Sequence, residues 1–90
     1  MTHHIFKFLI LFALSSAAQQ VVVADEESKE LISGLAVFNS LATKTAVSDF
    51  DGRVDIKEFQ SFEKIYFGHL SYHKMSIRKS AINDTVFLSP

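Results

Sequence analysis

Apolar residues form one nearly uninterrupted block at the start of the chain. Every residue from Ile5 to Leu14 is apolar except Lys7, and small residues follow up to Ala18. A short apolar block between a polar N-terminus and small residues is typical of a cleavable secretory signal peptide. The block is shorter than the roughly 20 apolar residues that a membrane-spanning helix needs. The pattern therefore predicts a signal peptide over residues 1–18, with an alternative end at residue 24, and no stable membrane anchor.

Cleavage would release a secreted, extracellular chain. A cut after Ala18 leaves Gln19 as the first residue, whereas the second candidate site, formed by Val22 and Ala24, leaves Asp25. The first site is preferred. Residues 19–30 then form an N-terminal lead-in to the first periodic segment.

The first periodic segment of the mature chain has helical spacing. Its apolar residues recur at intervals of four, three and four, which is one stripe of a 3.6-residue period. Asp25 and the acidic residues after it suit the first turn of a helix. A helix is therefore predicted, and its stripe consists of Leu31, Leu35, Phe38 and Ala42.

A second periodic segment runs from Asp55 to about Arg78 and carries a long aromatic stripe. Such a stripe is most often the buried face of an amphipathic helix. Two helices joined by one loop predict an all-α fold, a helix-loop-helix unit over residues 31–79, with residues 80–90 as a C-terminal tail. The stripe consists of Ile56, Phe59, Phe62, Tyr66 and Leu70.

Composition narrows the classes of protein to consider. Nine Lys and Arg stand against ten Asp and Glu, so no strong charge steers the chain toward nucleic acid. The chain has no cysteine, which excludes disulfides and thiolate chemistry. A secreted domain this short usually supplements its core with disulfides, a metal or a partner. A metal ion or a partner is therefore expected.

The segment between the two predicted helices contains most of the candidate chemistry. Calcium takes hard oxygen ligands, and the twelve-residue EF-hand loop supplies them at fixed offsets around a glycine at its sixth place. With Gly52 at that place, five ligand places are filled by oxygen donors. This segment resembles the second half of an EF-hand loop. The resemblance implies a Ca2+ site whose ligands are Asp49, Asp51, Asp55, Glu58 and the backbone carbonyl of Arg53.

The chain departs from the EF-hand pattern in three respects. Val47 occupies the first ligand place, where the family has an aspartate, and Ala46 replaces the usual bulky residue before the loop. The third departure is that only one such loop is found, whereas EF-hands pair. A homodimer or another protein partner is therefore expected to complete the unit.

Other interpretations stay open. The chain can be a calcium-independent secreted interaction module that docks through its aromatic residues, or a prepropeptide processed at Arg78-Lys79. Asn83 begins an N-glycosylation acceptor, which makes the chain a possible glycoprotein. His69 and His73 have the spacing of a two-histidine metal edge. No nucleophile or phosphate-binding motif is found, so the chain is predicted not to be an enzyme.

Overall fold

A computed structural model describes residues 19–90, and these residues form a β protein. The predicted signal peptide, residues 1–18, lies outside the described residues. Within residues 19–90, no helix is long and apolar enough to cross a membrane. The strands are β1 (Gln20–Asp25), β2 (Ala36–Phe38), β3 (Thr45–Val47), β4 (Arg53–Asp55), β5 (Lys64–His69), β6 (Tyr72–Arg78) and β7 (Thr85–Leu88), and one 3-10 turn covers Lys79–Ala81.

The prediction of an all-α, helix-loop-helix fold is therefore wrong. Residues 31–42, which carry the stripe of the predicted first helix, contain two residues with positive φ, Gly34 at 73° and Ala42 at 55°, and Lys29 before them also has a positive φ, of 66°. Right-handed helices require negative φ, so the chain turns at both positions. Leu35, which lies between them, enters the core, whereas Leu31 and Ala42 are exposed.

A three-stranded sheet has the order β4, β1, β7. β1 pairs antiparallel with β4, where Val21 lies opposite Val54, and parallel with β7, where Val23 lies opposite Val86. Runs of β-branched residues favour strands, and a central strand buried on both sides reads as a continuous apolar run. The three consecutive valines Val21–Val23 therefore favour the formation of β1 in this segment.

A four-stranded, fully antiparallel sheet has the order β3, β2, β5, β6. Its strands alternate inward and outward residues. Ile65 and Phe67 of β5 and Val37 of β2 have no exposed surface, so their strand neighbours lie on the opposite face. A register shift between Phe67 and His69 interrupts the pairing of β5 with β6.

One hydrophobic core joins the inward faces of both sheets. Its fully buried members include Val23 and Leu88 from the three-stranded sheet and Phe67 from the four-stranded sheet. Each such side chain contributes about 1.5–3 kcal/mol by leaving water. Of the predicted aromatic stripe, only Ile56 and Phe59 belong to this core.

Ser48 is a buried polar residue that fixes the chain where it crosses between the sheets. Its hydroxyl donates to the carbonyl of Ile32 at 2.7 Å and accepts from the N–H of Leu35 at 2.9 Å. Both polar functions of the hydroxyl are thus satisfied in the interior, where an unpaired group would destabilise the fold.

Candidate functional site

The acidic segment that resembles a calcium loop forms the tight connection between β3 and β4. One carboxylate oxygen of Asp49 accepts from the N–H groups of Asp51 and Arg53, each at 2.9 Å. The N–H of Asp49 donates to the carbonyl of Arg53, and the N–H of Gly52 donates to the carbonyl of Asp49, each at 3.0 Å. An aspartate that accepts bonds from the backbone just after it stabilises a turn.

The remaining predicted ligands are not gathered around one point. Asp55 accepts from the N–H of Lys57 at 2.9 Å and begins a separate turn. Asp51 and Glu58 are exposed. Across residues 19–90, no group of three or more His, Cys, Asp or Glu side chains is arranged to hold a metal ion.

The assignment to an EF-hand is therefore wrong, because the loop connects two strands and its flanks are not helical. The glycine that set the register of the resemblance has a different role. Gly52 has a φ of 71°, and a Cβ atom there would lie 2.8 Å from the carbonyl oxygen of Val23. Calcium binding by these oxygens stays a prediction.

His69 and His73 lie on different strands, β5 and β6, rather than on one helix face. His69 Nδ1 accepts from the N–H of Ser71 at 3.1 Å. Its ring also meets that of Tyr72 edge-on, with centroids 5.4 Å apart. The ring thus contributes to the β5–β6 hairpin turn.

A different set of residues forms the candidate site, on the outward face of the four-stranded sheet. Because Ile65 and Phe67 point into the core, Lys64 and Tyr66 lie on the opposite face of β5. The same alternation applies to β2 and β6, whose residues pair with β5 across the sheet. We call this surface the basic-aromatic face, and it consists of Phe38, Lys64, Tyr66, Lys74 and Arg78.

Two stacked rings form the centre of the basic-aromatic face. Phe38 and Tyr66 lie directly opposite each other on β2 and β5, with ring centroids 5.8 Å apart and planes 13° from parallel. The ammonium group of Lys74 lies 5.5 Å from the Phe38 centroid and 5.7 Å from that of Tyr66. A cation at this distance interacts favourably with the ring face. The rings and the cation therefore form a pre-arranged platform.

The cations of the basic-aromatic face have no acidic partner. Among residues 19–90 the one ion pair joins Lys44 to Glu63, at 3.4 Å. Desolvation raises the pKa of Glu63, but the N–H of Gln60 and the Lys44 ammonium outweigh it, so the net pKa is lowered. Glu63 therefore stays ionised and forms its ion pair with Lys44. Lys64, Lys74 and Arg78 are left without a carboxylate within salt-bridge distance.

A groove of about 440 Å³ opens at one end of this face. Exposed Leu41, from the β2–β3 connection, and exposed Phe62, from the segment before β5, contribute to its walls. Tyr66 and Arg78 line it as well. One Arg78 nitrogen donates to the carbonyl of Phe62 at 2.7 Å, which anchors the guanidinium there. Ionised Glu63 lines the groove as well, beside Lys64 and Arg78, so the groove combines apolar walls with charges of both signs.

Asn39 gives the β2–β3 connection a defined shape beside this groove. Its side-chain oxygen accepts from the N–H groups of Thr43 and Lys44, at 2.9 and 3.2 Å. Its amide nitrogen donates to the Thr43 hydroxyl at 2.9 Å. Asn39 itself is buried, so the loop that carries Leu41 is anchored at its base.

Asp25 and Tyr72 link the two sheets away from the groove. The Tyr72 hydroxyl donates to Asp25 at 2.9 Å. The N–H of Ser28 is the main cause of a lowered pKa of Asp25, with further help from Tyr72 and Glu27. The same bond to Asp25 raises the pKa of Tyr72. Both shifts favour the arrangement of an ionised carboxylate and a neutral phenol.

Comparisons with protein-family models, with curated proteins and with solved structures find no match for this chain.

The basic-aromatic face was not predicted from the sequence, although the chain contains a pattern that indicates it. From Lys74 to Arg78, polar or charged residues alternate strictly with apolar residues, and Lys64 to Phe67 begins the same way. A two-residue period indicates a strand with one face in the core. This pattern was not used because the aromatic residues also fit the 3.6-residue period of a helix.

Proposed function

We propose that the protein is a secreted interaction module that binds an acidic protein partner through the basic-aromatic face. The observation that carries the proposal is the stacked Phe38–Tyr66 pair beneath Lys74, on a face whose cations have no acidic partner. The proposal assigns no catalytic reaction to the chain and does not require calcium.

The composition of the face supports a protein partner. Interface cores are enriched in aromatic residues and arginine. Binding energy also concentrates in a few such side chains. Exposed Leu41, Phe62 and Val47 extend the apolar surface around the platform. Lys64 and Arg78 lie opposite each other across β5 and β6, in position to pair with carboxylates.

Secretion is part of the proposal, and the fold favours one of the two cleavage sites. β1 is the middle strand of the three-stranded sheet, and Val21, Val23 and Ala24 are buried. A cut after Ala24 would remove these residues and leave β4 and β7 without their shared neighbour. We therefore place the cleavage after Ala18, which retains all of β1.

Processing at Arg78-Lys79 would likewise remove part of the fold. Lys79 is anchored by two bonds, from its N–H to the carbonyl of Glu63 at 2.8 Å and from its ammonium to the carbonyl of Phe59 at 2.6 Å. A cut after Lys79 would also separate β7, with buried Val86 and Leu88, from the rest of the chain. The peptide after this pair is thus part of the fold.

Titration with an acidic peptide tests the binding surface. The probe is a synthetic peptide of alternating glutamate and phenylalanine, added to isotopically labelled protein (residues 19–90) while backbone amide signals are followed. We expect the shifts to concentrate on β2, β5 and β6, and to weaken with added salt because the charges are exposed. Shifts confined to the acidic turn, or none at millimolar peptide, would contradict the proposal.

Matched variants identify the residues responsible. Phe38→Ala and Lys74→Gln are each expected to weaken peptide binding about tenfold, the loss of one good interface contact. Phe50→Ala and Lys57→Gln remove a ring and a cation from the connections flanking β4, where Phe50 is more exposed than the half-buried Phe38. These two controls are expected to bind as the unaltered chain does. Equal losses in both pairs would mean that binding is non-specific.

A further inference from the structure

Gln19 is held in place by its backbone rather than by its side chain. Its backbone carbonyl accepts from the N–H of Ile56 at 3.0 Å. Among the hydrogen bonds between described residues, this is the one in which Gln19 takes part. Gln19 is exposed and lines an open hollow of about 200 Å³, together with Ile56, Lys79 and Ile82 among others. Its side-chain amide is therefore free to react.

The proposed processing makes Gln19 the first residue, with a free α-amino group. That group has an ordinary pKa of about 7.7–8.0, so roughly a tenth to a fifth of it is neutral and nucleophilic at pH 7. The amine nitrogen can attack Cδ of its own side-chain amide. A nitrogen–Cδ bond forms, the bond from Cδ to the amide nitrogen breaks, and ammonia leaves with the amine's proton. The product is a neutral five-membered lactam, and no oxidant or second reactant is needed.

We propose that Gln19 is a modification site and that the mature chain begins with pyroglutamate. This inference rests on the proposed secretion and on cleavage after Ala18. The backbone carbonyl of Gln19 is unchanged by the reaction, so its bond with Ile56 is retained. The open hollow leaves room for the ring.

The modification protects the strand on which the three-stranded sheet depends. Gln19 and Gln20 are exposed, and Val21 is the first buried residue. An aminopeptidase needs a free α-amine, and removal of two residues would bring it to the buried part of β1. A lactam at Gln19 stops this trimming at the first step.

The test is to express the full chain in a secreting eukaryotic host and to determine the mass of its N-terminal tryptic peptide. We expect a peptide from Gln19 to Lys29 whose mass is lower by one ammonia molecule. A synthetic peptide of the same sequence, with a free amine, is digested in parallel to measure cyclisation during handling. The cyclised fraction of the secreted chain must exceed the fraction that forms in this synthetic peptide.

The outcomes separate the modification from the processing. A Gln19–Lys29 peptide with a free amine, or cyclised only to the background level, would overturn the modification and leave cleavage after Ala18 intact. A chain that begins at Asp25 or retains residues 1–18 would overturn the proposed processing and the modification with it. The double variant Gln19→Ala with Gln20→Ala, which leaves no glutamine to cyclise at either of the first two positions, is expected to lose N-terminal residues to an aminopeptidase while the unaltered chain does not.

Discussion

Two charge-rich regions of this protein use their charges in opposite ways. In the acidic turn, residues 49–53, one carboxylate oxygen of Asp49 is bonded to two backbone N–H groups of its own loop. On the basic-aromatic face, Lys64, Lys74 and Arg78 have no acidic partner within the described residues. The first region uses charge to fix the chain, and the second leaves charge available to a ligand. Charge density alone does not distinguish the two, because only the hydrogen-bond partners show which groups are already occupied.

The largest expected effect comes from Gly52→Ala in the acidic turn. The new Cβ would lie 2.8 Å from the Val23 carbonyl oxygen at a φ of 71°, so strain and steric conflict add. We expect a loss of about 3 kcal/mol in the free energy of unfolding, measured by urea denaturation. Gly34→Ala is the matched control, since its φ is 73° but nothing lies within 4 Å; it should lose about 1 kcal/mol. Equal losses in the two variants would show that backbone strain alone, without the steric conflict, accounts for the need for a glycine at Gly52.

Asp49→Ala tests whether the carboxylate stabilises the turn. Removing the oxygen leaves the N–H groups of Asp51 and Arg53 without their acceptor. The unfolding free energy should fall by about 1 kcal/mol. Asp51→Ala, which removes an exposed acid from the same turn, should change it by less than about 0.5 kcal/mol. A larger loss for Asp51→Ala than for Asp49→Ala would contradict the assignment of the turn-stabilising role to Asp49.

Variants of the basic-aromatic face should change stability least. Lys64→Gln and Lys74→Gln remove exposed cations, and each should alter the unfolding free energy by less than about 0.5 kcal/mol. The same substitution at Lys74 is expected to weaken peptide binding about tenfold. A stability loss above about 1 kcal/mol in thermal or urea unfolding would show that the face, like the turn, serves the fold.

The hydrogen bond between Asp25 and Tyr72 lies outside both regions. It makes the free energy of unfolding depend on pH. The folded-state pKa of Asp25 is below its ordinary value of 3.8, so its contribution is full above that value and is lost as the pH falls through the folded-state pKa. The pKa of Tyr72 is above its ordinary 10.0, so its contribution is full below pH 10.0 and is lost as the pH rises through the folded-state pKa. Tyr72→Phe should lower unfolding midpoints at neutral pH, with the difference narrowing at both extremes. A difference that is constant with pH would contradict this account.

The helical interpretation failed because two periods overlap in the same residues. Phe59, Phe62 and Tyr66 fit a spacing of three and four, yet Phe59 is buried, Phe62 is exposed and Tyr66 is half-buried. Helical spacing in short segments does not exclude strands. The strict alternation from Lys74 to Arg78 was the more informative pattern, because each of its apolar members packs against the core.

The candidate site was even less accessible from the sequence. Phe38 and Tyr66 are far apart along the chain and meet because β2 pairs with β5 in one register. A register shifted by one residue would place one of the rings in the core. Lys74 reaches both rings because β6 is the next strand across the sheet. None of these distances follows from spacing alone.

The sequence by itself determined that the acidic segment around Gly52 is a connection between two regular elements and that disulfides are excluded, because these depend on residues adjacent in the chain or on composition. Only the tertiary structure decided which acids were already bonded, which cations were left without partners, and that Val21 to Ala24 belong to a central strand. Those properties depend on strand pairing between distant segments, and the pairing is set by burial of one shared core rather than by any single segment's own preference.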